Sequence, residues 1–97
     1  MLIERNKLEP NTRTLKLTSG EEIICRVISI SENSMTIKYP LMFVLSNNSE
    51  KLANDVIFSP WVISMDFDAE VVILNKDIIA NILPSKIAVE KYNEAIG

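Results

Sequence analysis

Every odd position from 35 to 45 is apolar: Met35, Ile37, Tyr39, Leu41, Phe43 and Leu45, with Thr36, Lys38 and Pro40 between the first of them. A period of two marks a strand with one buried face, so a long strand is expected here. Pro40 has no N–H for a ladder hydrogen bond, and an edge or a bulge is expected at that point. Upstream, residues 14–18 (TLKLT) alternate in the same way. Residues 19–22 then read as a tight turn in which Gly20 is free to take a positive φ. Residues 23–30 are apolar on both faces, with Ile23, Cys25 and Val27 on one and Ile24, Ile28 and Ile30 on the other. Such a strand is covered on both sides or bends through a barrel wall.

The rest of the chain continues in short pieces. Residues 31–34 form a polar loop, and residues 46–54 a polar hairpin loop. Residues 56–65 read as a strand interrupted at Ser59-Pro60, Asp66 and Asp68 as a turn or bend, and residues 70–74 as a short strand. Asn75-Lys76-Asp77 interrupts the pattern before another apolar strand at 78–83. Ser85 is placed to cap a helix whose Val89, Tyr92 and Ile96 share one face, with Gly97 at its end. The expected organisation is one domain: an arm at 1–12 closing on the polar group 9–12, a β-barrel at 13–84 and a helix at 85–97. Strands punctuated this often predict a mainly β fold, a small antiparallel barrel of about five strands with a C-terminal helix.

Composition supports one folded domain: 97 residues, 47% of them hydrophobic, with two glycines and four prolines. So short a chain buries a modest share of its surface, and assembly with copies of itself is a common way to add more. Cys25 is the only cysteine. It is expected to be a small buried side chain, and the absence of a disulfide pattern points to a cytoplasmic setting. No apolar run approaches the length of a membrane span, and the first residues hold no apolar leader core.

Histidine is absent from the sequence. The Ser-His-Asp and Cys-His mechanisms therefore lack their base, and Cys/His zinc patterns are excluded. With two glycines there is no phosphate loop, so neither an enzyme nor a cofactor is expected. Asp66, Asp68 and Glu70 would share one face of a strand and could meet a hard cation, which is the basis for reading a metal-dependent nuclease. The simpler reading is a solvated bend, and no metal is expected. Tyr39 and Trp61 are the candidates for base stacking; Tyr39 is in register with the apolar face and expected in the core, and Trp61 is expected in the core or between subunits.

Two segments resemble a known family. Residues 15–27 (LKLTSGEEIICRV) are similar to the first motif of the Sm-like proteins, an apolar strand, a glycine turn and a long bent strand. Residues 74–84 (LNKDIIANILP) resemble the second motif in its Hfq-like form. The pairs Pro40-Leu41 and Pro60-Trp61, with a closing helix carrying Tyr92, resemble the Sm-like proteins of T4-type marine phages. The resemblance implies a strongly bent five-stranded barrel whose last two strands pair between neighbours to close a ring. It also implies RNA binding around the pore, through the loop between strands two and three and the loop before the last strand. Carried onto this sequence, the candidate RNA-binding residues are Ser31, Asn33 and Ser34 in the first loop and Asn75, Lys76 and Asp77 in the second. The sequence departs from the family at Cys25, where a glycine is usual, at Ser31, where aspartate is usual, and at Asn33, near the usual aromatic position. Asn75 and Asp77 stand where the Hfq-like loop has its aromatic and its histidine.

The expected function is a non-enzymatic, homo-oligomeric ring that binds single-stranded RNA, or DNA, at its pore. A net charge of −3 means that any attraction for phosphate is local, with one Lys76 from each subunit gathered at the pore. The alternative is a structural or adaptor protein of phage origin that uses the same barrel to hold protein partners. Net acidity and the missing loop aromatic favour the adaptor, whereas Lys76 and the polar loops favour RNA.

Overall fold

The computed structural model describes residues 11–45 and 56–97. The expected hairpin loop at 46–54 and the first half of the expected turn at 9–12 therefore lie outside the described residues. So does all but the end of the expected arm at 1–12, and Thr12 already belongs to the first strand.

Among the described residues, six strands and one helix follow in order. They are β1 (Thr12–Leu17), β2 (Glu22–Ile30), β3 (Ser34–Leu45), β4 (Val56–Pro60), β5 (Glu70–Leu74), β6 (Ile78–Ile82) and α1 (Lys86–Ile96). A single 3₁₀ turn, Asn75–Asp77, joins β5 to β6. All ladders are antiparallel, in the order β4-β3-β2-β1-β6. β5 also pairs with β3, through Ser34 to Lys38, while β4 takes the stretch from Leu41 to Leu45. The fold is mainly β, as expected, with a C-terminal helix. Six strands form where five were expected, and the sheet is open. β6 pairs only with β1, and no ladder among the described residues joins it to β4 or β5.

Two register shifts bend the central pair. Arg26 faces Lys38 and Ile24 faces Leu41, so Cys25 opposes both Tyr39 and Pro40. That is a bulge in β3 where the proline forecast one, and Tyr39 takes a φ of 54° to make it. A second shift, between Val27 and Ser29, places an extra residue in β2 at Ile28. The first bulge corrects the alternation expected of β3. Met35 and Ile37 are buried in the core, but beyond the bulge Met42, not Leu41, packs against it. One inserted residue exchanges the two faces of a strand.

The core is built from Leu15, Leu17, Ile23, Cys25, Val27, Met35, Ile37 and Ile73, with Trp61, Val71 and Ile78 packed against it. Each such side chain, when fully buried, contributes roughly 1.5–3 kcal/mol. Ile24 is also fully buried but lies outside that cluster, whereas Ile28 and Ile30, expected on the same face, are 48% and 64% exposed, so β2 is covered on both faces only in its first half. Tyr92 is the helix residue buried on docking. Its ring meets the edge of Phe58 at 6.3 Å, and Phe58 stacks at a tilt on Phe43 at 5.2 Å. The helix starts as expected, with Ser85 Oγ accepting from the Ala88 amide at 3.1 Å.

The strand expected at 56–65 ends at Pro60, and residues 61–69 form turns and a bend. Proline removes a ladder donor, and the chain leaves the sheet there. Trp61 still reaches the core, but Ile63 and Phe67, expected in register with it, are 89% and 61% exposed. No helix among the described residues is long and apolar enough to cross a membrane.

Candidate nucleic-acid interface

The two candidate loops are 41 or more positions apart in sequence and meet in the fold. The β2–β3 loop closes on itself first. The Ser31 amide donates to Ser34 O at 2.8 Å, and the Ser31 hydroxyl lies 3.2 Å from that carbonyl and 2.9 Å from Ser34 Oγ. The 3₁₀ turn then fastens to it. The Asn75 amide nitrogen donates to Asn33 O at 2.9 Å, and Asn75 Nδ2 donates to Glu32 O at 3.1 Å and Ser31 O at 3.4 Å. On the other side of the turn, Asp77 O accepts from the Thr18 amide at 2.9 Å, which ties in the β1–β2 turn.

All six candidate residues thus share one end of the sheet, but they serve it differently. Asn75 spends its amide on the neighbouring loop, and Ser31 and Ser34 spend their hydroxyls within the turn. Asn33 and Lys76 are exposed and hold the capacity for outside contact. Lys76 Nζ lies 3.5 Å from Asp77 Oδ1, with the two side chains 75% and 45% exposed. A pair so open to water contributes at most about 1 kcal/mol and gives way readily to another anion. Glu32 adds a second carboxylate to the same loops, so one cation shares this ground with two anions.

The other candidates fall elsewhere. Asp66, Asp68 and Glu70 are exposed, and no group of three metal-binding side chains converges among the described residues. Tyr39 is half-buried at the bulge, with its ring 5.0 Å from that of Phe67 and Lys38 Nζ 5.8 Å from its centroid. Cys25 is buried, as expected, and burial pushes its thiol up to about 12. At the β1–β2 turn the Ser19 hydroxyl donates to Glu21 and holds that carboxyl below its ordinary value.

Sequence reasoning missed one feature. A groove of about 690 Å³ runs between α1 and the sheet, walled by Phe43, Phe58, Ile82, Leu83 and Ile87, with Lys16 and Lys91 also lining it. Its lining comes from six separate elements, and no local period links them. No known family model matches the sequence, and no curated protein is significantly similar to it.

Proposed function

We propose that the chain is a non-enzymatic Sm-like protein that assembles into a homo-oligomeric ring and binds single-stranded RNA, or DNA, at its pore. The observation that carries this reading is the junction made by Asn75, which holds loops 31–34 and 75–77 as one polar surface exposing Asn33 and Lys76. The strand order supports the Sm-like part. β6, β1, β2 and β3 lie side by side, β4 and β5 lie end to end along the outer edge of β3, and one 3₁₀ turn separates the last two strands. In the ring reading, β4 and β5 stand for one long bent strand of a five-stranded barrel, and the open edges of β5 and β6 are completed by neighbours. An unpaired strand edge is a template for another strand, and head-to-tail pairing with a fixed rotation closes on itself.

The mechanism is amplification by copy number. One Lys76 beside Asp77 attracts little, but a ring gathers one from each subunit around a single strand. Asn33 offers a carboxamide to base edges or sugar hydroxyls. Ser31, Ser34, Asn75 and Asp77 then act chiefly by shaping the loops. A cytoplasmic setting belongs to the same reading.

Anisotropy with short A-rich and U-rich RNAs over a salt series tests it. Lys76→Ala removes a charge from every subunit and is expected to weaken binding strongly and flatten the salt slope. Lys51→Ala, in the stretch between β3 and β4 and outside the described residues, is the control and is expected to do neither. Absence of RNA binding at moderate salt moves the reading to an adaptor, which the paired carboxylates at the loops and the net charge of −3 favour.

A further inference from the structure

We propose that the segment joining β4 to β5, residues 61–69, docks into the groove beside α1 of a second copy of this chain. The proposal rests on the ring reading and names what the ring places over that groove.

The strand edges set the geometry. β5 and β6 are five residues each, and among the described residues each is paired on one side only. Every ladder in the sheet is antiparallel. An antiparallel join between β5 of one copy and β6 of the next sets Glu70, at the start of β5, beside Ile82, at the end of β6. The chain leading into Glu70 then runs on past Leu83 and Pro84. Three extended residues would span about 10 Å, so Phe67, which lies in the turn before β5, stays within that distance of the join and on the side of the start of the helix. The groove is lined on that side by Leu83, Pro84, Ser85 and Ile87.

The surfaces match in two independent ways. Ile63 projects from the segment into solvent, Phe67 is mostly exposed with its ring tilted against that of Tyr39, and Ile82, Leu83 and Ile87 on the groove are each at least half exposed. An opening of about 690 Å³ takes an aromatic side chain with room for an aliphatic one beside it. Charge matches as well. Asp66, Asp68 and Glu70 are exposed on and beside the segment, while α1 carries Lys86 at its start and Lys91 along the groove. The groove's own carboxylates, Glu21 in the β1–β2 turn and Glu22 at the start of β2, come from the sheet side, and the helix carboxylates Glu90 and Glu94 do not line it. The acidic residues that read as a metal site or a solvated bend thereby become the charged rim of an apolar contact, an arrangement common at protein interfaces.

Full-length variants read by sedimentation velocity and by cross-linking test the docking. Phe67→Ala truncates an exposed side chain, so the fold should persist by circular dichroism. Its assembly midpoint should rise by about tenfold or more if the ring is anchored there. Asp66→Lys with Asp68→Lys, or Lys86→Asp with Lys91→Asp, should each weaken assembly, and all four together should restore it. With Phe67→Cys and Leu83→Cys in one chain, mild oxidation should yield a ladder of covalent oligomers that neither single variant gives. A ring that assembles normally with Phe67→Ala and yields no ladder overturns the docking and leaves the ring reading standing. A wild-type chain that stays at 11.0 kDa overturns both.

Discussion

The hydroxyl of Tyr92 donates to the main-chain carbonyl of Tyr39 at 2.6 Å. It fastens the helix to the one non-glycine residue with positive φ among the described residues. Such a backbone costs on the order of 1–3 kcal/mol and persists where its surroundings over-determine it. Tyr92 is fully buried, so Tyr92→Phe leaves the Tyr39 carbonyl without this donor and should cost about 1–2 kcal/mol. Tyr92→Ala also opens a cavity against Phe58 and should cost about 3–5 kcal/mol. Urea unfolding measures both. A Tyr92→Phe variant as stable as the parent would show that the bond does not hold the bulge.

Cys25 makes stability depend on alkaline pH. Burial raises its thiol from 9.0 to about 12, so the native state keeps the proton that the unfolded state loses first. The stability is fully present below pH 9 and is lost as pH rises from there towards 12. Burial also raises Tyr92, which adds to the decline above pH 10. Cys25→Val keeps an apolar strand residue and removes the thiol. Its unfolding free energy should stay flatter between pH 9 and 10, and a slope identical to the parent's would refute the assignment.

Most elements were legible because their signals are local. The period of two in β3, the glycine turn after β1 and the serine before α1 each concern a few neighbouring residues. What failed was what local periods do not carry. The odd-position rule runs through Tyr39 unbroken, yet Tyr39 and Pro40 together oppose Cys25, and the faces exchange there. The apolar residues at 61, 63, 65 and 67 look like one strand face, but Pro60 ends the ladder and only Trp61 turns inward. Closure of the sheet was inferred from strand count, and pairing depends on which edges meet in space. At the loops, the family resemblance named six residues, and the structure brings them to one end of the sheet. The role of Asn75 as a clasp rests on contacts 43 and 44 positions away, which leave no trace in spacing.

That clasp is testable apart from any ligand. Asn75→Ala removes the two side-chain donations to the β2–β3 loop and should cost about 1–2 kcal/mol. The main-chain bond from Asn75 to Asn33 remains, so the loop should loosen without detaching. Hydrogen exchange at the Ser31 amide, which bonds Ser34 O, should quicken, while exchange in the core strands β1 and β2 should change much less. Unchanged exchange at Ser31 would mean that the turn holds its shape without Asn75.

The last prediction separates nucleic-acid binding from protein assembly at the same loops. Asp77 lies 3.5 Å from Lys76, and Glu32 belongs to the loop that Asn75 holds. If a phosphate strand approaches Lys76, both carboxylates oppose it: Asp77 competes for the ammonium, and Glu32 adds like-charge repulsion. Glu32→Gln with Asp77→Asn keeps size and hydrogen-bonding capacity and removes two negative charges from every subunit. If the chain forms the proposed ring, the change is repeated around one strand, and affinity for single-stranded RNA should rise by about tenfold or more, with a steeper salt slope. Glu90→Gln, on an exposed position of α1, is the control and should change affinity little, since an isolated surface charge contributes little. Adding Lys76→Ala to the double variant should remove much of the gain, because the freed ammonium is what the phosphates meet. A gain that survives this third change would place the binding elsewhere on the ring. An intact ring whose affinity for RNA does not respond to either carboxylate would leave these loops to a protein partner.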